Sequence, residues 1–281
     1  MLIQSPFAWV WDRLSQAAVS VGAEGPDQRA EAPVLRPLTQ ADIAVALRAG
    51  WRDFAANRSD VVALCIIYPA VGLMLSRLAY GQGVLAMLFP LISGFALIGP
   101  LAAVALTELS RRREAGLSTG WADAGAVLRS PAIGGIVLFG LLLVAIFLLW
   151  LIVAASLYDL TMGPRPPASI AAFAHDVLAT GPGMALIALG CSIGFLFALG
   201  VLAISAITFP MLLDRRVGVE QAMVASVRLV RDNPRSMALW GAIMAGGLVL
   251  GSLPFLLGLV VVVPVFGHAT WHLYRRVVPP G

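Results

Sequence analysis

Long apolar runs separated by short polar connections dominate the chain. A helix of about 20 mostly apolar residues crosses the ~30 Å hydrocarbon core of a bilayer. Six runs approach or exceed this length, at roughly 61–78, 83–107, 132–158, 183–213, 236–253 and 255–274. Only Ser252, Leu253 and Pro254 separate the last two runs, which predicts a tight hairpin. The pattern therefore predicts an all-α membrane protein with six transmembrane helices.

Composition supports the membrane interpretation and limits the partners. Hydrophobic residues make up 59% of the chain and charged residues 12%, against roughly 45–50% and ~25% in soluble domains. All 19 basic residues are arginines that lie between apolar runs, so no nucleic-acid partner is expected. We expect residues 1–38 to be an N-terminal interfacial anchor with a flexible linker, and residues 39–281 to be the six-span membrane domain.

Arginine positions predict the orientation. With six spans, 17 of the 19 arginines lie on the side that holds both termini and the 110–131 and 214–235 connections. Only Arg77 and Arg165 lie on the opposite side. Connections rich in arginine stay cytoplasmic during insertion. Both termini are therefore expected in the cytoplasm.

The amphipathic segments before the odd-numbered spans repeat. Ile43, Leu47, Trp51 and Phe54 form one helical stripe, from which Asp42, Arg48, Arg52 and Asp53 are expected to project away. A shift of 176 residues reproduces the spacing at Val219, Met223, Val227 and Val230, and superposes Asn57 on Asn233. A weaker third copy comprises Leu117, Trp121, Gly125 and Leu128. Each copy predicts a helix lying in the cytoplasmic interface with its apolar face in lipid.

The even-numbered spans repeat as well. Six residues match at a constant shift of 164, pairing Gly94, Pro100, Ala105, Leu109, Arg111 and Arg112 with Gly258, Pro264, Ala269, Leu273, Arg275 and Arg276. Arg215-Arg216 ends the fourth span in the same way. The unit is an interfacial helix, two spans and an arginine pair, used three times. Units with an even number of spans keep one orientation, so we predict three parallel repeats around a pseudo-threefold axis.

The arginine runs at the ends of these units are candidates for binding anionic lipid head groups, at roughly 1 kcal/mol for each charge near the surface. The candidates are Arg111, Arg112, Arg113, Arg215, Arg216, Arg275 and Arg276. The alternative is that they serve only as topology determinants. The expected partners are a bilayer with anionic lipids and other subunits of a membrane complex.

His268 and His272 are the only metal-ligand candidates, four residues apart on one helical face. They could present two imidazoles to a metal or haem, but no third ligand is evident, and an interfacial belt beside Trp271 and Tyr274 is the favoured interpretation. The repeat also allows a contact between Glu108 and His272. Cys65 and Cys191 lie in apolar runs and are interpreted as buried thiols. No metal and no cofactor are expected.

The span interiors contain no Asp, Glu, Lys or Arg. Ion-coupled transporters and pumps generally need such groups at depth, so charge-driven transport is disfavoured. The chain has no nucleotide-binding, serine-protease or zinc-protease motif, and no enzyme is expected. The leading hypothesis is a non-enzymatic accessory or scaffold subunit of a membrane complex. The alternative is a transporter or channel for a small neutral or lipid-like solute.

Several segments resemble those of an uncharacterised bacterial family of predicted multipass integral membrane proteins, known as a domain of unknown function. These segments are Pro6-Phe7, Gly50–Asn57, Gly94–Leu101, Glu108–Glu114, Phe209–Arg215 and Gly267–Arg275. The resemblance covers roughly 35–278, and its last segment is the most specific. It implies a location in the bacterial inner membrane, and it supplies no activity, cofactor or catalytic residue.

Overall fold

The computed structural model describes residues 34–56, 87–95, 97, 99–117, 119–120, 123, 125–164, 169–254 and 257–279. In these ranges every regular element is a helix, as the sequence predicts. The α-helices are α1 Gln40–Ala56, α2 Leu88–Phe95, α3 Gly99–Ala102, α4 Val104–Glu114, α5 Ile133–Met162, α6 Ile170–Ala179, α7 Gly181–Ser205, α8 Thr208–Asp214, α9 Val219–Asp232, α10 Pro234–Ser252 and α11 Leu259–Val277. A short 3₁₀ helix, Gly125–Arg129, precedes α5.

Among the described residues, two helical stretches are long and apolar enough to cross a membrane: Ile133–Met162 and Gly181–Asp214. They correspond to the predicted spans 132–158 and 183–213. The remaining four spans are not confirmed. The span 61–78 and the anchor at residues 1–33 lie outside the described residues, and the spans 236–253 and 255–274 correspond to α10 and α11. Both of these helices are shorter, and each carries arginine at one end.

The predicted span 83–107 is interrupted in its described part. Helix α2 ends at Phe95, where the amide of Leu97 donates to the carbonyl of Gly94 at 2.8 Å and closes a turn. The chain then restarts as α3, with Pro100 in its first turn, where a missing amide proton costs nothing. The predicted span is therefore not one continuous helix in its described part, because a turn and two short helices precede α4.

Trp150 joins the two long helices to α2. Its indole nitrogen donates to the carbonyl of Pro90 at 3.0 Å, and its ring lies 5.5 Å from that of Phe197 on α7. A Cβ atom at Gly94 would lie 2.7 Å from the Trp150 ring, and one at Gly194 would lie 3.1 Å from it. Because Gly94 and Gly194 have no side chain, there is room for the Trp150 ring where the three helices meet.

Helices α1 and α11 pack with their backbones close together. A Cβ atom at Gly50 would lie 2.6 Å from the amide nitrogen of Ala269 and 2.7 Å from the carbonyl oxygen of Val265. On another face of α11, a Cβ atom at Gly267 would lie 2.7 Å from Leu106 of α4. The backbone of α11 is therefore enclosed by α1 and α4, and both contacts depend on glycine.

The helices that end in arginines, α4, α8 and α11, pack against one another. We call the end of the fold at which Arg111–Arg113, Arg215-Arg216 and Arg275-Arg276 lie the arginine end. Each preceding amphipathic segment packs on one of these helices: α1 on α11, the 3₁₀ helix on α4, and α9 on α8. Most of the described hydrophobic core lies around this end.

The amphipathic stripes are only partly as predicted. On α1, Ile43 and Phe54 are buried, but Trp51 is 52% exposed and Asp53, expected to project away, is buried. The buried face of α1 comprises Ile43, Ala46, Gly50, Asp53 and Phe54, and that of α9 comprises Ala222, Ala225, Ser226 and Leu229. Small residues mark the contact faces, since they permit close approach. The faces of α1 and α9 that contact the rest of the protein are therefore not the stripes of large apolar residues that the sequence predicted.

The third amphipathic copy is not one continuous helix. Helix α4 ends at Glu114, and the chain turns at Gly116, which has a φ of 69°. The amides of Gly116 and Leu117 donate to the carbonyls of Arg113 and Arg112, both at 3.0 Å. This paired arrangement around a left-handed glycine is a Schellman motif, and it terminates a helix. Leu117 therefore lies in a loop, and Gly125–Arg129 forms a 3₁₀ helix. Trp121 of the proposed copy lies outside the described residues.

An extended segment before α1 holds α9 and α11 at the arginine end. The amide of Arg36 donates to the carbonyl of Val277 at 2.8 Å, and the amide of Leu38 donates to the side-chain oxygen of Asn233 at 2.8 Å. Ser236 donates to the carbonyl of Leu38 at 2.7 Å. Proline stands at the first position of α10 as predicted, but Asn233 makes no side-chain cap there, because its oxygen already accepts from Leu38.

We expect the substitution Gly50→Ala to destabilise the fold by about 1–3 kcal/mol, because the added methyl group would overlap the backbone of α11. Thermal unfolding in detergent, followed by intrinsic fluorescence, measures the change. Gly200→Ala on α7 is the matched control, since nothing lies within 4 Å of its Cβ position. Equal melting temperatures for the two variants would contradict the close α1–α11 contact.

Candidate functional site

The only described cluster of buried polar side chains with both acidic and imidazole groups lies where α1, α4 and α11 meet. Asp53 of α1, Ser110 of α4 and His268 of α11 are all at least nine-tenths buried. His272, one turn beyond His268, and Arg113 of α4 complete the cluster at its edge. We call these five residues the Asp53 cluster. Their sequence positions are far apart, and only the packing of the three helices brings them together.

Donors from two helices surround the carboxylate of Asp53. Its Oδ2 atom accepts from Ser110 at 2.5 Å and from Nε2 of His272 at 2.8 Å. Its Oδ1 atom lies 3.3 Å from Nε of Arg113. These contacts replace the water that the carboxylate loses on burial. Asp53 therefore ties α1 to both α4 and α11.

The hydrogen-bond pattern assigns the proton on His268. The Nδ1 atom of His268 lies 2.9 Å from Oγ of Ser110. An ionised carboxylate can only accept, so Ser110 gives its single proton to Asp53 and accepts from Nδ1–H of His268. The neutral ring then carries its lone pair on Nε2. That buried atom has no side-chain hydrogen-bond partner among the described residues, and the backbone of Leu106 lies beside the ring.

Opposing effects set the acidity of Asp53. Burial by itself raises the pKa of this carboxyl, because the charged form loses solvation. Hydrogen bonds from His272 and Ser110, with the favourable charge interaction of His272, act in the other direction and prevail. The pKa of Asp53 consequently lies below its usual value of 3.8. The carboxylate is ionised at neutral pH, as the proton assignment requires.

The equivalent junction elsewhere in the chain has no charged side chain at the corresponding positions. Under the shift of 176 residues, Asp53 corresponds to Leu229; counted back from the arginine pairs, His268 and His272 correspond to Thr208 and Leu212. All three counterparts are buried. Thus α9 packs on α8 with no carboxylate between them. Close packing of these helices does not require charge, and the Asp53 cluster is a specific feature of one junction.

The seven arginines predicted to bind head groups lie together at the arginine end, where six of them face carboxylates. The shortest contacts are Arg111–Glu108 at 2.7 Å, Arg112–Asp123 at 2.8 Å, Arg113–Asp53 at 3.3 Å, Arg215–Asp214 at 3.5 Å, Arg275–Glu114 at 2.8 Å and Arg276–Asp42 at 2.5 Å. Several of these pairs join different helices. They give the arginines a structural role, and lipid binding by them stays a prediction.

Two further bonds tie α8 and α4 to α11. The hydroxyl of Tyr274 donates to Asp214 of α8 at 2.7 Å. The indole of Trp271 donates to Glu114 of α4 at 2.7 Å, and the Arg275 guanidinium lies 5.7 Å from the Trp271 ring centroid. The predicted belt beside the histidines is thus largely inside the protein: Trp271 and Tyr274 are both at most 1% exposed. Their polar atoms face acids because a buried hydroxyl or indole N–H needs an acceptor.

Each histidine of the pair bonds a different protein side chain. His268 bonds Ser110 and His272 bonds Asp53. Across the described part of the chain, no three His, Cys, Asp or Glu side chains are grouped so that they could hold a metal ion. The suggested contact between Glu108 and His272 does not form, because Glu108 pairs with Arg111.

Cys191 is exposed on α7, so its interpretation as a buried thiol was wrong. The apolar run that carries it has little protein around it: only 6% of its most apolar window is buried within the protein. Cys65 lies outside the described residues. An apolar run indicates removal from water, but it does not distinguish the protein interior from an outward face.

Residues 88–214 match the model of the family described as "Predicted integral membrane protein (DUF2189)". Over these residues the chain is similar to that family. The resemblance expected from the sequence is thereby confirmed, over 88–214 and not over the whole of 35–278. No curated protein and no solved structure matches the chain.

The DUF2189 match contains both of the helical stretches that are long enough to cross a membrane. The family description and the helices therefore agree that the chain is an integral membrane protein. Ser110 and Arg113 of the Asp53 cluster lie inside the matched region, whereas Asp53, His268 and His272 lie outside it. The cluster joins the matched region to the segments on either side.

We expect Asp53→Asn to lower the stability at neutral pH by about 1–3 kcal/mol, since the amide cannot accept from all three donors. Asp53 has a depressed pKa, so its contribution is present above the ordinary pKa near 3.8 and is lost as the pH falls through the lower folded value. The stability difference between the two proteins should therefore shrink on acidification below about pH 4. Denaturant midpoints measured at several pH values give this difference.

Asp232→Asn is the control for this experiment, because Asp232 forms an exposed pair with Arg231. Exposed pairs contribute about 0–1 kcal/mol, so this variant should follow the wild type at every pH. A constant difference between Asp53→Asn and the wild type down to strongly acidic pH would show that the carboxylate charge is not what stabilises the junction.

Proposed function

We propose that the protein is a multispan protein of the bacterial inner membrane that acts as a non-enzymatic accessory or scaffold subunit of a larger membrane complex. The observation that carries the proposal is the exposure of α7. Its continuation through α8 gives a helical stretch of 34 residues, of which the most apolar window is 6% buried within the protein. A helix with so little cover from its own chain offers its surface to lipid or to another subunit.

The exposed side chains of α7 are large and apolar. Phe195 and Leu196 are 65% and 64% exposed, and Met184 is 55% exposed. Helix α5 has a similar outward face, with Leu141 61% and Ile152 64% exposed. An apolar surface of this extent is typical of membrane or protein interfaces. The two helices thus have both the length to span a bilayer and the surface to bind within it.

The Asp53 cluster supports a structural role over a catalytic one. A nucleophilic serine needs a base that takes its proton and a path by which substrate reaches its oxygen. Ser110 donates to Asp53 and is 1% exposed. His268 accepts nothing from Ser110 in this arrangement, and it is fully buried. The cluster is therefore suited to fixing α1 against α4 and α11.

We further propose the six-span architecture with three parallel repeats and both termini in the cytoplasm. The packing of the three amphipathic segments supports this architecture, because it is cyclic. The 3₁₀ helix lies on α4 and α9 lies on α8, in each case on a helix of the preceding unit, and α1 of the first unit lies on α11 of the last. A cycle of three such contacts is what a pseudo-threefold arrangement requires. The transporter or channel alternative stays a prediction.

A photo-crosslinking amino acid placed at Phe195 tests the scaffold role. After extraction in mild detergent, we expect the protein to migrate above its monomer mass in native gels, and the Phe195 probe to form adducts with other polypeptides. The same probe at Phe139, which is fully buried on α5, is the control and should give none. A free monomer whose Phe195 probe captures only lipid would contradict the proposal.

Reporter fusions test the orientation. Alkaline phosphatase is active only outside the cytoplasm, so a fusion after Gly163, in the connection between α5 and α6, should be active. Fusions after Gly116 and Gly281 should be inactive in this assay, and fluorescent when the reporter is a green fluorescent protein. Phosphatase activity after Gly116 would overturn the proposed orientation, since it would move the 110–131 connection with its four arginines to the outside.

A further inference from the structure

The acidic and basic residues of helix α1 lie on different faces of the helix. Its two acids face the protein: Asp53 is buried in the cluster, and Asp42 bonds Thr39 and Arg276. Its arginines, Arg48 and Arg52, are both exposed. The helices of soluble proteins usually expose charges of both signs, so this separation needs a reason beyond solubility.

The outward face of α1 combines these arginines with apolar groups. Ala41, Ala44, Val45, Arg48, Trp51 and Arg52 follow one another at helical spacing, and all are exposed. Val45 is 45% exposed and Trp51 is 52% exposed. The Trp51 ring lies 5.7 Å from that of buried Phe54, which holds the indole against the helix. We call this surface the Trp51 face.

The two arginines of the Trp51 face, Arg48 and Arg52, have no polar side-chain partner within the described residues. Across residues 34–56 and the other described ranges, neither Arg48 nor Arg52 forms an ion pair or a side-chain hydrogen bond. In this they differ from the arginines at the arginine end, which face carboxylates. The surface therefore carries two positive charges beside an indole, and within the described ranges no acid pairs with them.

We propose that the Trp51 face binds the bilayer surface through anionic phospholipid head groups. Arginine pairs with phosphate oxygens, indole rings prefer the boundary between head groups and acyl chains, and an amphipathic helix with both lies in that interface. This inference rests on the membrane insertion proposed above. It names different residues from the arginine runs: Arg48, Trp51 and Arg52 make the lipid contact, whereas the runs hold helices together.

The position of α1 in the chain supports a membrane partner over a soluble acidic protein. Only residues 57–60 separate α1 from the predicted span that begins at 61, and four residues cover at most about 14 Å. The C-terminal half of α1, which carries Arg48, Trp51 and Arg52, is therefore close to the bilayer surface. The corresponding helix α9 leads directly into α10, and it exposes Val227 and Arg228 at the positions of Trp51 and Arg52.

The test uses the full-length protein in nanodiscs of phosphatidylcholine, with or without phosphatidylglycerol. Subtracting the emission of a Trp51→Phe variant from that of the wild type isolates the Trp51 signal from the other tryptophans. We expect brominated phosphatidylcholine to quench this signal and aqueous iodide to quench it poorly. Adding phosphatidylglycerol should strengthen both effects, and high salt should weaken them.

The double substitution Arg48→Gln and Arg52→Gln should weaken the phosphatidylglycerol dependence by on the order of tenfold, as expected for two surface charges. The matched control, Arg36→Gln with Arg129→Gln, removes the same charge from exposed residues outside the Trp51 face and should leave the Trp51 signal unchanged. An equal effect of both double variants would overturn the proposal, because it would reduce the interaction to net charge.

The outcomes also distinguish this inference from the proposed function. Protein that fails to enter nanodiscs would refute the membrane insertion itself. Protein that enters them while Trp51 stays accessible to iodide and insensitive to brominated lipid would refute only the lipid contact. Protection of Trp51 that requires an added protein, and is absent with lipid alone, would assign the face to a protein partner and equally overturn the inference.

Discussion

A buried carboxylate has to exchange its water for other donors, and Asp53 obtains them only from helices other than its own. Ser110 and Arg113 come from α4 and His272 from α11. The carboxylate is therefore stable inside the protein only when three helices are in place. This requirement links the electrostatics of one residue to a close backbone contact between two helices, since Gly50, which admits α11 against α1, lies one turn before Asp53 on the same face.

The charged residues and the long apolar helices occupy separate parts of the molecule. Around the arginine end, ion pairs connect α1, α4, α8 and α11, and these pairs are short and partly buried. In contrast, α5 and α7 turn large apolar side chains outward along most of their length. The arginine end can thus be rigid, with its charged groups paired within the protein, while the surface of α5 and α7 adapts to lipid or to a neighbouring subunit. A scaffold needs this combination of a fixed shape and an accessible surface.

Much of the fold followed from periodicity, because apolar runs of sufficient length determine helices without reference to tertiary contacts. The all-α class and two spanning helices were predicted in this way. The site was not: His268 and His272 were noticed, but Asp53 was placed on the wrong face. The stripe on α1 was drawn through its large residues, whereas the contact with α11 uses Ala46 and Gly50. Counting those small residues would have put Asp53 on the buried face. The partners of Asp53 could not have been found from spacing, as they depend on which helices pack together.

The packing of the first described helix on the last has a consequence for synthesis. Asp53 and His272 are 219 residues apart, and Asp42 and Arg276 are 234 apart. At about 5–20 residues per second, the ribosome completes α11 roughly 10–45 seconds after α1. During this interval α1 has no partner for Asp53 or for the surface around Gly50. The arginine end can close only after the C-terminal helix has been synthesised, so a chain truncated before α11 leaves Asp53 and the surface around Gly50 without the contacts that α11 makes with them.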